Sequence, residues 1–351
     1  MSCMKLPSLA GKEKPELVEI LLQEEYGHLP PTPPGVQVEI LSTDEKFCAG
    51  RATLQKLAFT CDAPLGKFTF PVYGACPKDN GSKRPAFVHI NFRDDIPDRY
   101  QPTEEIVDRG FAVYTVYYKD VSSDDGDFTN GLAGMVYENG KRPPNGCGKI
   151  GLWAWAAMRV MDYLQTLPQL DHGRISVIGH SRLGKTALLT GALDERFFCA
   201  FSNDSGCSGA ALARGNDGET VDKICNKFPF WFCENYYKYR NNEDAMPFDQ
   251  HYLIAANYPH RVYVASAEGD LWACPKNEFA AALAADPFFT ARGCAPLGAA
   301  EMPPVGTRLH EGHIGYHCRT GLHYLAREDW NAYMDYLLRH FKSEKRSLQG
   351  E

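Results

Sequence analysis

From Arg84 to the C-terminus, short apolar runs alternate with stretches whose apolar residues recur every three or four positions. AFVHINF (86–92) and FAVYTVYY (111–118) are compact runs of strand type, and PTEEIVDRG between them reads as a helix closed by Gly110. A long polar loop follows, through Gly148. In 150–167, Leu152, Trp155, Ala156, Val160, Tyr163, Leu164 and Leu167 fall at helical spacing, which makes one broad face apolar. RISVIGH (174–180) is again a strand and TALLTGALDERF (186–197) a helix. CAFSND (199–204) and RVYVASAEGD (261–270) predict two buried strands, each ending in an acid, and DWNAYMDYLLRHF (329–341) predicts a closing helix. This rhythm predicts an α/β fold: a doubly wound, mainly parallel sheet flanked by helices, with active groups at the carboxyl ends of its strands.

Upstream the pattern differs. VQVEIL, ATLQKLAFT and KFTFPVY, within 36–75, are β-rich pieces at hairpin spacing. Before them, 16–26 (ELVEILLQEEY) reads as a short amphipathic helix ending near Gly27, and PPTPPG (30–35) confines the chain to extended and turn conformations. The expected organisation is an N-terminal helix and proline-rich arm over 1–34, one α/β domain over 35–345, and a tail at 346–351.

Composition narrows the function classes. Lys plus Arg (37) falls short of Asp plus Glu (44), for a net charge of −7, and no basic stripe occurs, so neither nucleic acid nor an anionic membrane is an expected partner. No run of 18 apolar residues predicts a membrane span. MSCMKLPSLAGKEKPELVE lacks the apolar stretch of a secretory signal, which points to a cytoplasmic protein, a secreted form with its signal removed being the alternative. The 12 cysteines are scattered, with no CxxC pair, and read as buried reduced thiols rather than a disulfide framework. Oligomeric state is not legible.

The most informative stretch is RISVIGHSRLGKTALL: strand, turn, helix. A serine on such a turn is a candidate nucleophile, its hydroxyl raised above the sheet and the next residue's N–H available to an oxyanion at the helix N-terminus. Gly179 stands two before Ser181, but Leu183 occupies the place of the usual second glycine and Gly184 comes one later, so G-x-S-x-G is not met. The same residues satisfy G-x-x-x-x-G-K-[ST], through Gly184, Lys185 and Thr186, the pattern of a phosphate-binding loop. Chain order favours the nucleophile. Several strands precede this one, and Asp204, Asp270 and His323 follow in the order acid, then histidine.

GHSRLGK, NDSGCSGAA, GET, AEGDLW and GLH, in that order, resemble carbohydrate esterase family fifteen, the glucuronoyl esterases and their bacterial relatives, from about residue 86 onward; the arm at 16–34 also resembles bacterial members. The resemblance implies an α/β-hydrolase fold and a serine esterase acting on uronic acid esters of carbohydrates, with no metal or organic cofactor. It implies Ser181 as nucleophile, His323 as base, and the acid at Asp204, Asp270 or both. Arg182 would hold the oxyanion through its N–H and guanidinium, Lys185 and Glu219 would bind sugar hydroxyls, and Trp272 would line the sugar pocket. The expected substrate is a small carbohydrate ester or oligosaccharide. Many members carry glutamate where Asp204 stands, and the acid that follows the strand two after the nucleophile strand is Asp270, so Asp270 is expected nearer His323 Nδ1. A second oxyanion donor is expected near Asn91 to Arg93.

The histidines at 310, 313, 317 and 323 crowd one region, and HEGHIGYH looks metal-like. A zincin helix needs H-E-x-x-H, however, and Gly312 and Gly315 argue against a rigid helix that would converge the ligands, so no metal site is expected. The rival readings are an acetyl esterase of xylan or oligosaccharides, a nucleotide hydrolase using 179–186, and a catalytically silent carbohydrate-binding protein.

Overall fold

The computed structural model describes residues 5–78 and 81–349, with side chains through residue 342. The first four residues of the expected arm, Cys3 among them, and the last two of the expected tail lie outside the described residues. Among the described residues, ten strands make one sheet: β1 (Val36–Asp44), β2 (Ala52–Ala63), β3 (Gly66–Pro77), β4 (Arg84–Asn91), β5 (Ala112–Tyr117), β6 (Leu170–His180), β7 (Cys199–Asn203), β8 (Arg261–Ala267), β9 (Arg308–Leu309) and β10 (Ile314–Arg319). Their order across the sheet is β1-β2-β3-β5-β4-β6-β7-β8-β10-β9. The first three form an antiparallel meander that joins β5 antiparallel, and β5, β4, β6, β7, β8 and β10 run parallel to one another.

Residue type explains this division. In β3, Phe68, Phe70 and Val72 alternate inward with exposed or half-buried neighbours, as suits a strand with one wet face. β4, β5 and β7 are buried almost throughout because helices cover both faces. Lys149–Leu164, Arg182–Leu193 and Pro275–Thr290 pack into the core on one face, and Thr103–Asp108 and Arg327–Gln349 into that on the other. From β4 the chain first steps to β5 on one side and then crosses to β6 on the other. The crevice of a doubly wound sheet opens at such a reversal, beyond the carboxyl ends of the strands.

Several boundaries differ from the sequence expectation. The helix after Ser181 begins at Arg182 rather than 186, because Gly184 packs against the β7 exit instead of ending a loop. The polar loop before Gly148 contains the short helices Tyr118–Val121 and Gly131–Val136. Helix Arg327–Gln349 runs through most of the expected tail 346–351. β10 and Pro275–Thr290 were not foreseen.

The arm is fastened into the core. Its helix Lys14–Leu21 carries a proline, Pro15, in its first turn, buries Leu17 and Leu21, and continues as a π turn, Leu22–Tyr26. Tyr26 OH donates to Ser208 O at 2.7 Å, and Gln250 Nε2 donates to Glu25 Oε1 at 3.0 Å. Burial pushes the Glu25 carboxyl up to about 8.

Candidate active site

β6 ends at His180, and the helix starts at Arg182, so a single residue makes the turn. Ser181 takes φ 57° and ψ −127°, a backbone state costing about 1–3 kcal/mol that persists only where its surroundings impose it. They do so here: Ser181 N–H donates to Asn203 O of β7 at 2.8 Å, and the N–H of Gly184 donates back to Ser181 O at 2.9 Å. A Cβ at Gly179 would lie 2.0 Å from Leu183 O, so only glycine fits two residues before the serine. A Cβ at Gly184 would come within 3.0 Å of Ser205 Cβ and 3.2 Å of Asn203 O. The close approach of helix to sheet thus falls at 184, and Leu183 is free to be a buried core residue. The N–H groups of Ser181, Gly184 and Lys185 are thus committed to Asn203 O and Ser181 O rather than offered to a phosphate. Lys185, the would-be phosphate lysine, is buried with its ammonium 2.5 Å from Ser205 O and 2.5 Å from Cys207 O.

The loop after β10 lays His323 over this turn. His323 Nε2 is 2.9 Å from Ser181 Oγ, and Nδ1 is 2.5 Å from Asp270 Oδ2. With Asp270 ionised, Nδ1 carries the proton and Nε2 accepts from the serine hydroxyl. Asp270 follows β8, two strands past β6 in the sheet, and is buried, whereas the His323 side chain is 43% exposed. Asp204, at the exit of β7, stands close by, since ligand atoms of Asp204, Asp270 and His323 lie within 4.8 Å of one another. Its Oδ2 accepts from Arg319 Nη2 at 3.3 Å, and its Oδ1 is buried with no hydrogen-bond partner. Burial first, then the nearby Glu278 and Asp329 carboxylates, pushes the Asp204 carboxyl well above the usual range, and the Arg319 contact does not offset this.

Arg182 pairs with Asp124, whose carboxylate also accepts from Trp231 Nε1 at 2.7 Å and Tyr118 OH at 3.1 Å. The guanidinium lies over Trp231, 4.5 Å from the ring centroid, with Phe228 and Phe92 at 5.2 and 5.5 Å. It therefore sits at the helix N-terminus beside the serine in a fixed orientation. Lys185 lies 3.5 Å from Glu219 Oε2, and the Glu219 N–H donates to Trp272 O at 2.9 Å, so these three expected residues are gathered in one place. The Trp272 side of that group is open: the residue is 48% exposed, with Lys223 over its ring. At the turn after β4, Asn91 Oδ1 already accepts the Phe92 N–H at 2.7 Å, which commits that donor.

His310 and His317 do not converge on an ion site; both hydrogen-bond Tyr263 OH, at 2.8 and 3.0 Å, and His317 also meets Asp329. The sequence reading missed Asp124, Trp231 and His180. The His180 ring lies 4.5 Å from that of His323 and hydrogen-bonds Asn203 Oδ1 at 2.7 Å. Burial, then the neighbouring His323, pushes His180 down to about 3, which keeps it neutral beside the His323 imidazole. Its place next to Ser181 in the sequence was the available signal.

A family model described as "Glucuronyl esterase, fungi" matches residues 69–293. The chain is 40% identical over 239 residues to carbohydrate esterase MZ0003 of an unknown prokaryotic organism, covering 68% of this chain and 55% of that protein. It is 32% identical over 156 residues to the 4-O-methyl-glucuronoyl methylesterase of Hypocrea jecorina (strain QM6a), covering 42% of this chain and 34% of that one. The chain thus spans about half the length, or less, of these curated relatives. The structure of a glucuronoyl esterase from Solibacter usitatus superposes with a TM-score of 0.87 at 30% identity, over 95% of this chain and 97% of that one. Together with the strand order, this likeness makes the fold that of the α/β-hydrolases.

Proposed function

This chain belongs to the glucuronoyl esterase family, and from that membership we propose that it is a serine carboxyl-ester hydrolase acting on uronic acid esters of carbohydrates. The observation that carries the reading is the unbroken hydrogen-bonded line from Ser181 Oγ through His323 to Asp270. His323 takes the serine proton as Oγ attacks the ester carbonyl, while Asp270 holds the imidazole in its tautomer and stabilises the imidazolium. The oxyanion develops against the N–H of Arg182 at the helix N-terminus and against its guanidinium, which Asp124 and Trp231 hold ready. His323 returns the proton to the leaving alcohol, and water, activated by the same imidazole, hydrolyses the acyl-enzyme.

Lys185, Glu219 and Trp272 make the sugar side of the site. Trp272 offers a partly exposed ring face, and Glu219 offers carboxylate oxygens to ring hydroxyls. The test is a panel of methyl uronates, acetylated sugars and p-nitrophenyl esters, assayed with the wild type and Ser181→Ala, together with fluorophosphonate labelling. Serine-dependent turnover that is fastest on methyl uronates supports the proposal. Faster turnover of acetylated xylose replaces it with a deacetylase, and no labelling of the wild type sinks the serine mechanism.

A further inference from the structure

One guanidinium lies beneath the loop that carries His323. Arg319 ends β10, is 1% exposed, and directs both Nη groups into the turn that follows. Its Nη1 donates to Thr320 O at 3.2 Å, and its Nη2 to Leu322 O at 3.1 Å and to Tyr324 O. Three carbonyls from both sides of His323 therefore converge on one side chain. The guanidinium carbon also lies 4.2 Å from the Tyr324 ring centroid.

The fork is itself fixed from behind. Asp329, on helix Arg327–Gln349, accepts from Arg319 Nε at 2.9 and 3.1 Å, from His317 Nε2 at 2.8 Å and from the Ala326 N–H at 2.7 Å. Asp204 Oδ2 accepts from Nη2 at 3.3 Å. A buried cation with this many partners is costly to desolvate and strongly oriented once satisfied. No hydrophobic residue of similar volume could donate to carbonyls in three directions. A lysine would supply the charge as a point, without the planar fork.

We infer that Arg319 is the positioning residue of the active-site base: its guanidinium sets the 320–324 loop so that His323 stands between Ser181 and Asp270. The inference rests on the proposed serine mechanism and assigns Asp204 to this support, as a partner of Arg319. The His323 side chain is 43% exposed, with the His180 ring on one side and Asp270 and Ser181 at its two nitrogens, so its aim depends in large part on the backbone beneath it.

Two variants test the inference, because Arg319→Ala leaves Asp329 and Asp204 facing a void and can unfold the chain. Arg319→Lys keeps a cation in place. Gly321→Ala acts on the half-exposed loop itself, where a Cβ would fall 2.7 Å from Arg319 Nη1 at a backbone φ of 124°. Each should lower kcat at least tenfold with KM changed less than about threefold, at a melting temperature still well above the assay temperature. Millimolar guanidinium should restore part of the activity of folded Arg319→Ala and none to His323→Ala. Wild-type kcat in folded Arg319→Lys, or losses in both variants that merely follow the folded fraction, overturns the inference. A wild type that fluorophosphonate does not label overturns the serine mechanism instead, so the two failures are distinct.

Discussion

Replacing Asp270 by asparagine isolates the carboxylate that bonds His323 Nδ1. The Asp270 carboxylate lies 2.5 Å from His323 Nδ1 with its side chain almost wholly buried, so the amide removes both the tautomer lock and the charge that stabilises the imidazolium. Loss of that pairing in a triad costs up to about 10⁴ in kcat, or roughly 5 kcal/mol of barrier. Asp204→Asn is a milder change. Its carboxyl is pushed toward the neutral form, which an amide imitates, and the amide oxygen can still accept from Arg319. The expected cost is less than tenfold, about 1 kcal/mol. Initial rates on a methyl uronate ester for wild type, both single variants and the double variant, each first checked by thermal melting, give the comparison. The double variant should be little worse than Asp270→Asn alone. If folded Asp204→Asn loses as much as Asp270→Asn, or if the double collapses while each single keeps most activity, the assignment of Asp270 as the working acid is wrong.

Ser181→Ala and His323→Ala should each lower kcat by about three orders of magnitude or more, with the double no worse than either, since the pair acts as a unit; Ser181→Ala retaining a tenth of wild-type activity would contradict the nucleophile. Lys185→Ala should impair uronate esters more than p-nitrophenyl acetate in kcat/KM; equal losses would mean that the ammonium only braces Ser205 and Cys207. Glu25 has a folded pKa of about 8 against an ordinary 4.5, so its contribution is complete below about pH 4.5 and is lost as pH rises through 8. Glu25→Gln should therefore gain on the wild type between pH 5 and 9, by on the order of a few kcal/mol in chemical denaturation; a gap that does not change with pH would refute this.

How much of this was legible follows physical lines. The parallel strands were readable because burial on both faces demands continuous apolar runs, and Ser181 and His323 stood out because local turn chemistry marks them. Asp270 followed from the order of elements. β10 was missed because its run, Ile314 to Arg319, mixes glycine, histidine and arginine, and partners outside the run satisfy its polar members, Tyr263 and Asp329 for His317, and Asp329, Asp204 and the following loop for Arg319. Pro275–Thr290 escaped because an alanine-rich helix buried over most of its surface shows little periodicity. Asp124 and Trp231 lie 58 and 49 positions from Arg182, and nothing in the local pattern of either reveals that they meet. The arm read as an appendage because a carboxylate such as Glu25 is expected outside, and here it is inside.

Arg319 grips its loop through main-chain oxygens, which every residue type possesses. The side chain at 322, 64% exposed on the rim of the site, is thus uncoupled from the placement of the base. On the proposed mechanism, substitution at that position should reshape what the site admits while leaving the proton transfer intact. Gly321, wedged against the guanidinium, has no such latitude. On that reading, substrate range and proton transfer are set by different atoms of one loop residue, the side chain at 322 for the first and its carbonyl for the second.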